Sequence, residues 1–291
     1  MKATRGEKLF YAVNYVVLGL IALSCLLPMV HIAAMSLSDA HHVASGHVVF
    51  WPLGWTTDAY TSLIEGSDIV NAFRNNVVLT VVGTALCMCC TVLAAYPLSR
   101  RDMYGRRLFT LAIIFTMLFT GGIIPNYLVI KGLGLIDSYG AIWLPALVSV
   151  FNMLVLKTYF ESMQVEMEEA ARIDGCSEWR LIAQIVLPLS VPVLAALTLF
   201  YAVAFWNQFM NVLIFMNDPA KYNLTVLVQQ MVQSQSMMQD LNNLQPEDMA
   251  NLTPETIKSA GVVVMLVPML IVYPFLQKYF VKGVMIGAVK G

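Results

Sequence analysis

Six long apolar runs set the terms for this chain. They cover residues 9–32, 69–98, 108–130, 138–160, 191–216 and 259–280. A helix needs about 20 consecutive apolar residues to cross the hydrocarbon core of a bilayer. Inside lipid every backbone N–H and C=O must be satisfied within the segment, so runs of this kind fold as helices. The expected fold class is all-α integral membrane, with six transmembrane helices. Composition agrees. Of the 291 residues 58% are hydrophobic and 12% charged, against about a quarter charged in soluble domains, and mean hydropathy is +0.70. The net charge of −1 and the lack of a basic patch interleaved with aromatics argue against nucleic acid as a partner. The first run follows Lys2, Arg5 and Lys8 but exceeds a signal-peptide core of roughly 7–15 residues, so it reads as an uncleaved span.

Basic residues orient the spans. With both termini inside, the cytoplasmic side holds Lys2, Arg5, Lys8, Arg100, Arg101, Arg106, Arg107, Lys157, Arg172, Arg180, Lys278, Lys282 and Lys290. The other side, span ends included, holds Arg74, Lys131, Lys221 and Lys258. That asymmetry obeys the positive-inside rule. It puts residues 1–8, 161–190 and 281–291 in the cytoplasm and makes 33–68 and 217–258 outer loops. Residues 217–258, rich in Gln, Asn and Met, read as one long loop; loops of that length are usually functional or disordered. The third run is broken by Gly121, Gly122 and Pro125, which membrane helices tolerate where they pack in protein or line a cavity.

The most polar stretch lies between the fourth and fifth runs. Glu166, Glu168 and Glu169 open a short helix, where acidic side chains suit the positive end of the dipole. Ala170 and Ala171 continue it, and Asp174-Gly175 ends it, glycine taking the left-handed conformation at little steric cost. A second helical run, Ser177 to Leu187, meets Pro188. A rigid knob of two helices and a sharp corner is suited to being gripped by another protein.

The sequence Glu169-Ala170-Ala171, three residues, Gly175, nine residues, Ile185, one residue, Leu187-Pro188 resembles the "EAA" loop of permease subunits in binding-protein-dependent ABC importers. Flanking features extend the likeness to nearly the whole chain: Trp51-Pro52, Asn75-Asn76, the run from Ala95 to Arg100, Gly122 to Pro125, and Gly287 to Gly291. These resemble maltose-type carbohydrate permeases, the branch for lipo-oligosaccharides and alginate-type oligosaccharides. Gln164 departs from the pattern, which usually has proline before the acidic helix. The resemblance implies a type I ABC importer permease fold in the bacterial inner (plasma) membrane, with a permease domain over about 69–280. It also implies four kinds of partner: a second permease, two ATP-binding subunits, an external or periplasmic solute-binding protein, and an oligosaccharide substrate. The ATPase-coupling residues would be Glu166, Glu169, Ala170, Ala171, Asp174, Gly175, Ile185, Leu187 and Pro188. ATP and magnesium would belong to the partner ATPase, leaving no cofactor on this chain, and the long outer loop would reach toward the solute-binding protein.

The residues themselves point to an external energy source. Ion-coupled carriers place ionisable side chains inside the membrane as relays, and the middles of the six runs hold essentially none. No G-x-x-x-x-G-K-[ST] phosphate loop is present either. The fifth run carries the substrate-pathway candidates Tyr201, Trp206, Asn207, Gln208 and Asn211, since aromatic faces and amides suit sugar rings and hydroxyls. The alternative for these is helix–helix bonding, with Trp206 as an interfacial anchor.

No catalytic set is evident. Asp39, His41, His42 and His47 cluster in the first outer loop without regular ligand spacing, and read as solvated side chains rather than a metal site. Of Cys25, Cys87, Cys89, Cys90 and Cys176, Cys87 and Cys90 have C-x-x-C spacing, but they lie with Cys89 inside an apolar run, and the cysteines read as small hydrophobes. An importer permease for a non-sugar solute is the nearest alternative function. A membrane enzyme and a channel are more distant ones.

Overall fold

The computed structural model describes residues 4–163, 165–241 and 254–288. All regular structure among them is helical. The described residues fall into two compact units: those of Met1–Ile69 with Val228–Val267, and those of Val70–Leu227 with Pro268–Gly291.

In the first unit, α1 (Arg5–Ser36) opens with a capping box. The Thr4 N–H donates to Glu7 Oε2 at 2.7 Å while Glu7 N–H donates to Thr4 Oγ1 at 3.4 Å, satisfying two donors that a helix start leaves orphaned. Leu9, Phe10, Val16, Leu20 and Leu23 are all exposed, as expected of a helix whose solvent is lipid rather than protein. Its last turn is anchored: Ala34, Val43 and Val48 form a small core, and the Ser36 and Tyr60 hydroxyls lie 2.8 Å apart. The short helices α2 (Ala40–Ala44) and α3 (Asp58–Gly66) follow. Between them Gly54 sits at φ +64°, with Asp39 Cβ only 2.9 Å from where its own Cβ would be, so this turn needs glycine twice over. His41 and His42 lie with ring centroids 6.0 Å apart and His47 Nδ1 lies 2.7 Å from Ser45 Oγ. Among the described residues no group of three His, Cys, Asp or Glu could hold a metal ion.

The second unit is built on α4 (Ile69–Ser99). After it come α5 (Arg106–Leu118), α6 (Ile123–Gly132), α7 (Gly140–Ala146) and α8 (Val150–Glu161). The polar stretch supplies α9 (Val165–Ile173) and α10 (Glu178–Leu181), a π-helical turn (Ile182–Val186) and α11 (Leu187–Leu189). Then come α12 (Val191–Trp206) and α13 (Met210–Phe215). Two cores pack against α4. One gathers Leu79, Cys87, Ile142, Tyr201, Phe205 and Phe215; the other gathers Tyr96, Leu98, Met153, Leu156, Phe160, Leu181 and Leu197. Gly83 makes the first possible. A Cβ there would lie 2.8 Å from the Phe205 ring and 2.9 Å from Trp143.

The last two helices, α14 (Leu224–Leu241) and α15 (Pro254–Ala288), complete the described chain. Helices long and apolar enough to cross a membrane are Gly6–Ser36, Ile69–Ser99 and Glu255–Pro274. Three further helix pairs pass the same test jointly but are bent. The angles are 114° between α5 and α6, 44° between α7 and α8, and 84° between Glu178–Leu189 and Val191–Trp206.

The third run, 108–130, is broken where its glycines and proline place the break: Gly122 at φ +85° lets the chain turn through 114°. The fifth run, 191–216, is not continuous. Its helix stops at Trp206 and restarts at Met210, because Asn207 turns its amide back onto Val203 O at 2.9 Å, the local bonding by which asparagine competes with a helix. Within residues 217–258, α14 occupies 224–241. Asn223 Oδ1 accepts from Val226 N–H at 3.1 Å, capping that helix, while buried Leu224, Val226 and Val228 hold its first turns. The middle of that segment, the departure at Gln164 and the last residues of the tail lie outside the described residues.

Candidate coupling site

The polar stretch folds into a short helix, a corner and a second helix, as its sequence predicts. Helix α9 ends at Ile173, and Gly175 follows at φ +76°, where a side chain would be strained. The corner is closed by Cys176 N–H donating to Ala171 O at 3.0 Å and Gly175 N–H donating to Arg172 O at 3.0 Å.

Ionic contacts fix this corner to the end of α4. Arg100 pairs with Glu168, which is 5% exposed. The Arg100 guanidinium also lies over the Tyr96 ring, 4.2 Å from its centroid, where a cation is attracted by the ring face. From the other side Tyr96 donates its hydroxyl to Glu178 Oε2 at 2.8 Å, and Arg172 pairs with Glu178 at 2.9 Å. Glu178 therefore holds the Arg172 guanidinium more firmly protonated than usual. Arg106 reaches Glu161 and donates Nε–H to Leu98 O at 2.9 Å; Lys157 joins the same carboxylate at 2.8 Å. A cavity of about 370 Å³ lies between these groups, lined by Arg100, Arg101, Arg106, Glu161, Glu168 and Arg172. α9 and the start of α10 are thus riveted to α4 by alternating charge and one aromatic ring.

The opposite face of the corner is bare. Met167, Ile173 and Trp179 are exposed, Ile173 by 86% and Trp179 by 71%. Glu169, Asp174 and Gly175 share that exposure. Apolar side chains beside exposed charge, held on a rigid frame, are what a protein-binding knob requires. Glu166 and Ala170 lie on α9. Ala171 is half-buried against the Tyr96 core. Ile185 sits half-buried in the π-helical turn, Leu187 is half-buried, and Pro188 is exposed. Sequence reasoning singled out exposed Glu169, Asp174, Gly175 and Pro188, but neither the bare apolar residues Met167, Ile173 and Trp179 nor the anchor. Glu168 was read as a helix-start acid, and Arg100 as a topological charge and the end of a family-like run, and nothing in either residue's neighbours in sequence announces the other, 68 positions away.

The five fifth-run candidates do not converge. Tyr201 is buried, its hydroxyl 2.7 Å from Thr91 Oγ1 and accepting from Ser149 N–H at 3.0 Å. Trp206 is 6% exposed and packs edge-on to Phe73. Asn211 donates to Gln208 Oε1 at 3.1 Å, and Asn207 is tied to its own helix. Tyr201 and Gln208 share a cavity; Trp206, Asn207 and Asn211 do not line it.

Comparison with known proteins bears on this arrangement directly. The profile of the "Binding-protein-dependent transport system inner membrane component" family matches residues 80–286. The chain belongs to that family. It is an inner-membrane transport subunit and not an enzyme. It is 42% identical over 286 residues to the polygalacturonan/rhamnogalacturonan transport system permease protein YtcP of Bacillus subtilis, covering 98% of this chain and 99% of the relative. It is 40% identical over 293 residues to protein LplC of the same organism, covering 100% and 98%. Among solved structures it matches a chain of a bacterial ABC transporter that imports the acidic polysaccharide alginate. There the TM-score is 0.86 at 31% identity, over 96% of this chain and 99% of that one. The family resemblance carried by the Glu169–Pro188 pattern is thereby borne out.

Proposed function

We propose that this chain is one of two membrane subunits of an ATP-driven importer for oligosaccharides. Solute passes from an external binding protein, through a route between this chain and a second permease, into the cell. Two ATP-binding subunits grip the corner formed by α9 and α10, and hold the ATP and magnesium. The observation that carries the reading is the two-sided corner. Its inner face is riveted to α4 through Arg100–Glu168 and Tyr96–Glu178, and its outer face, with Ile173 and Trp179, is bare. Displacing such a corner displaces α4 with it.

Glu166, Glu169, Ala170, Ala171, Asp174, Gly175, Ile185, Leu187 and Pro188 form the coupling element in this reading. Three long apolar helices and three bent pairs make six passages with both termini in the cytoplasm, the orientation favoured by the basic residues. Oligosaccharide as the solute rests on the named relatives, two of which handle polygalacturonan/rhamnogalacturonan and alginate. ATP drives transport by binding one conformation of the assembly better than the other, the only way a ligand shifts such an equilibrium.

The test is to purify the complex through a tag on this chain and identify the copurifying subunits and saccharide by mass spectrometry. Two ATP-binding chains, a second permease and an oligosaccharide are expected. Uphill sugar movement by this polypeptide alone in vesicles, without nucleotide, would overturn the proposal.

A further inference from the structure

The cavity between α8 and α12 has a composition unlike the surrounding apolar surface. Its volume is about 500 Å³, within the range of roughly 300–1,000 Å³ of small-molecule sites. Phe151 and Phe200 contribute ring faces to it, their centroids 6.4 Å apart and tilted by 45°. Ser149, Asn152, Tyr201 and Gln208 contribute polar groups, and no charged side chain lines it.

Asn152 stands out among them. It is 5% exposed, its backbone N–H donates to Ser149 Oγ at 3.5 Å, and its carboxamide makes no hydrogen bond among the described residues. Its amide atoms line the cavity and are committed to no protein group, so both its donors and its acceptor are free for whatever occupies that space. Tyr201 and Gln208 are already engaged, and Gln208 is only half-buried. The Tyr201 hydroxyl already bridges Thr91 and Ser149, and Gln208 Oε1 is taken by Asn211.

We infer that this cavity is a pyranose subsite carried by this subunit itself, with Asn152 as its anchor. The inference rests on the importer reading above. The amide donates to one ring hydroxyl and accepts from its neighbour, the bidentate match of a carboxamide to a vicinal diol. The phenyl rings take the apolar C–H face of the sugar. With no cation in the lining, the subsite reads hydroxyls and ring shape, not a carboxylate.

The assay is uptake of trigalacturonate by the full complex, with its binding protein, in vesicles. N152A raises KM roughly tenfold, equal to about 1.4 kcal/mol. N152D raises it further, on the order of a hundredfold, because a like charge is brought to the uronate. N152Q recovers part of the loss. The thermal midpoint of the N152A complex stays level, since the amide makes no hydrogen bond to the protein that could be lost; a merely structural role would lower it. An unchanged KM in N152A, with the wild-type complex active, overturns the subsite and leaves the importer reading standing. So does dissociation of the two permeases in N152A, which would make the amide an interhelical contact. A wild-type complex that moves neither this nor any other oligosaccharide overturns both.

Discussion

Replacing Glu168 with glutamine tests whether α9 is held by its ion pair. The substitution keeps the shape and removes the charge. Glu168 is 5% exposed, and its partner Arg100 already leaves Nε and Nη2 without hydrogen-bond partners. Loss of the carboxylate therefore strands a guanidinium whose remaining support is the Tyr96 ring. Removing one member of a buried pair costs about 3–5 kcal/mol. The cation–π contact, on the order of 1 kcal/mol, is retained, which puts the expected loss near the lower end, about 3 kcal/mol. At 1.4 kcal/mol per decade that is roughly a hundredfold more frequent opening of α9. Amide hydrogen exchange across Val165–Ile173 in the purified complex reads this number directly, because protection measures local opening. In vesicles the same variant should keep nucleotide hydrolysis while losing most sugar uptake. The reversed pair R100E/E168R should recover more protection than either single change, as expected of directly coupled groups. Exchange in E168Q within threefold of wild type would refute the idea that this pair fastens the corner.

Three further outcomes are expected. G175D, at φ +76°, and E169K, on the exposed side of α9, should each reduce uptake at least several-fold with expression preserved, as measured with labelled oligosaccharide and immunoblotting. G83A should push the Phe205 and Trp143 rings aside and cost about 1–3 kcal/mol of stability as an overpacked core, read as a lower thermal midpoint of the solubilised chain. Asp137, outside the spans, has its carboxyl held below the usual range by the Lys221 ammonium and by the Asn217 and Asp218 N–H groups. A depressed carboxyl contributes stability that is present above its unfolded value, about 3.9, and lost as pH falls through the lower folded one. Exchange protection at residues 217–221 should therefore fall below about pH 4 in wild type, and D137N should lack that dependence.

Much of this was legible in the sequence for physical reasons. Apolar length reports helices that face lipid, so the long rods α1 and α4 were foreseeable. The Asp174-Gly175 corner was too, because a left-handed residue after a short amphipathic helix leaves few options. What escaped were features set by contacts distant in sequence. Arg100 and Glu168 gain their meaning only when α4 and α9 are brought together, and hydropathy counts them as two unrelated surface charges. The break inside the fifth run escaped similarly: the stop at Trp206 comes from one asparagine bonding its own helix, a choice that hydrophobicity does not register. Trp206 was open to two readings, a sugar route or an interfacial anchor, because an aromatic residue in a membrane helix does not advertise contacts such as its edge-on packing against Phe73. Helix α14 was hidden because Gln and Met are good helix formers whose polarity also fits a loop.

The meeting of α11 and α12 has a mechanical consequence. Ser190 is fully buried there, its hydroxyl donating to Val186 O at 2.7 Å, and the arms on either side stand 84° apart. Arms so near perpendicular transmit almost no thrust end to end, so a shove along the first reaches the second only as torque about the serine. The stiffness of that one pivot then sets the gearing, and a slack hinge would let a motor turn over without moving its load.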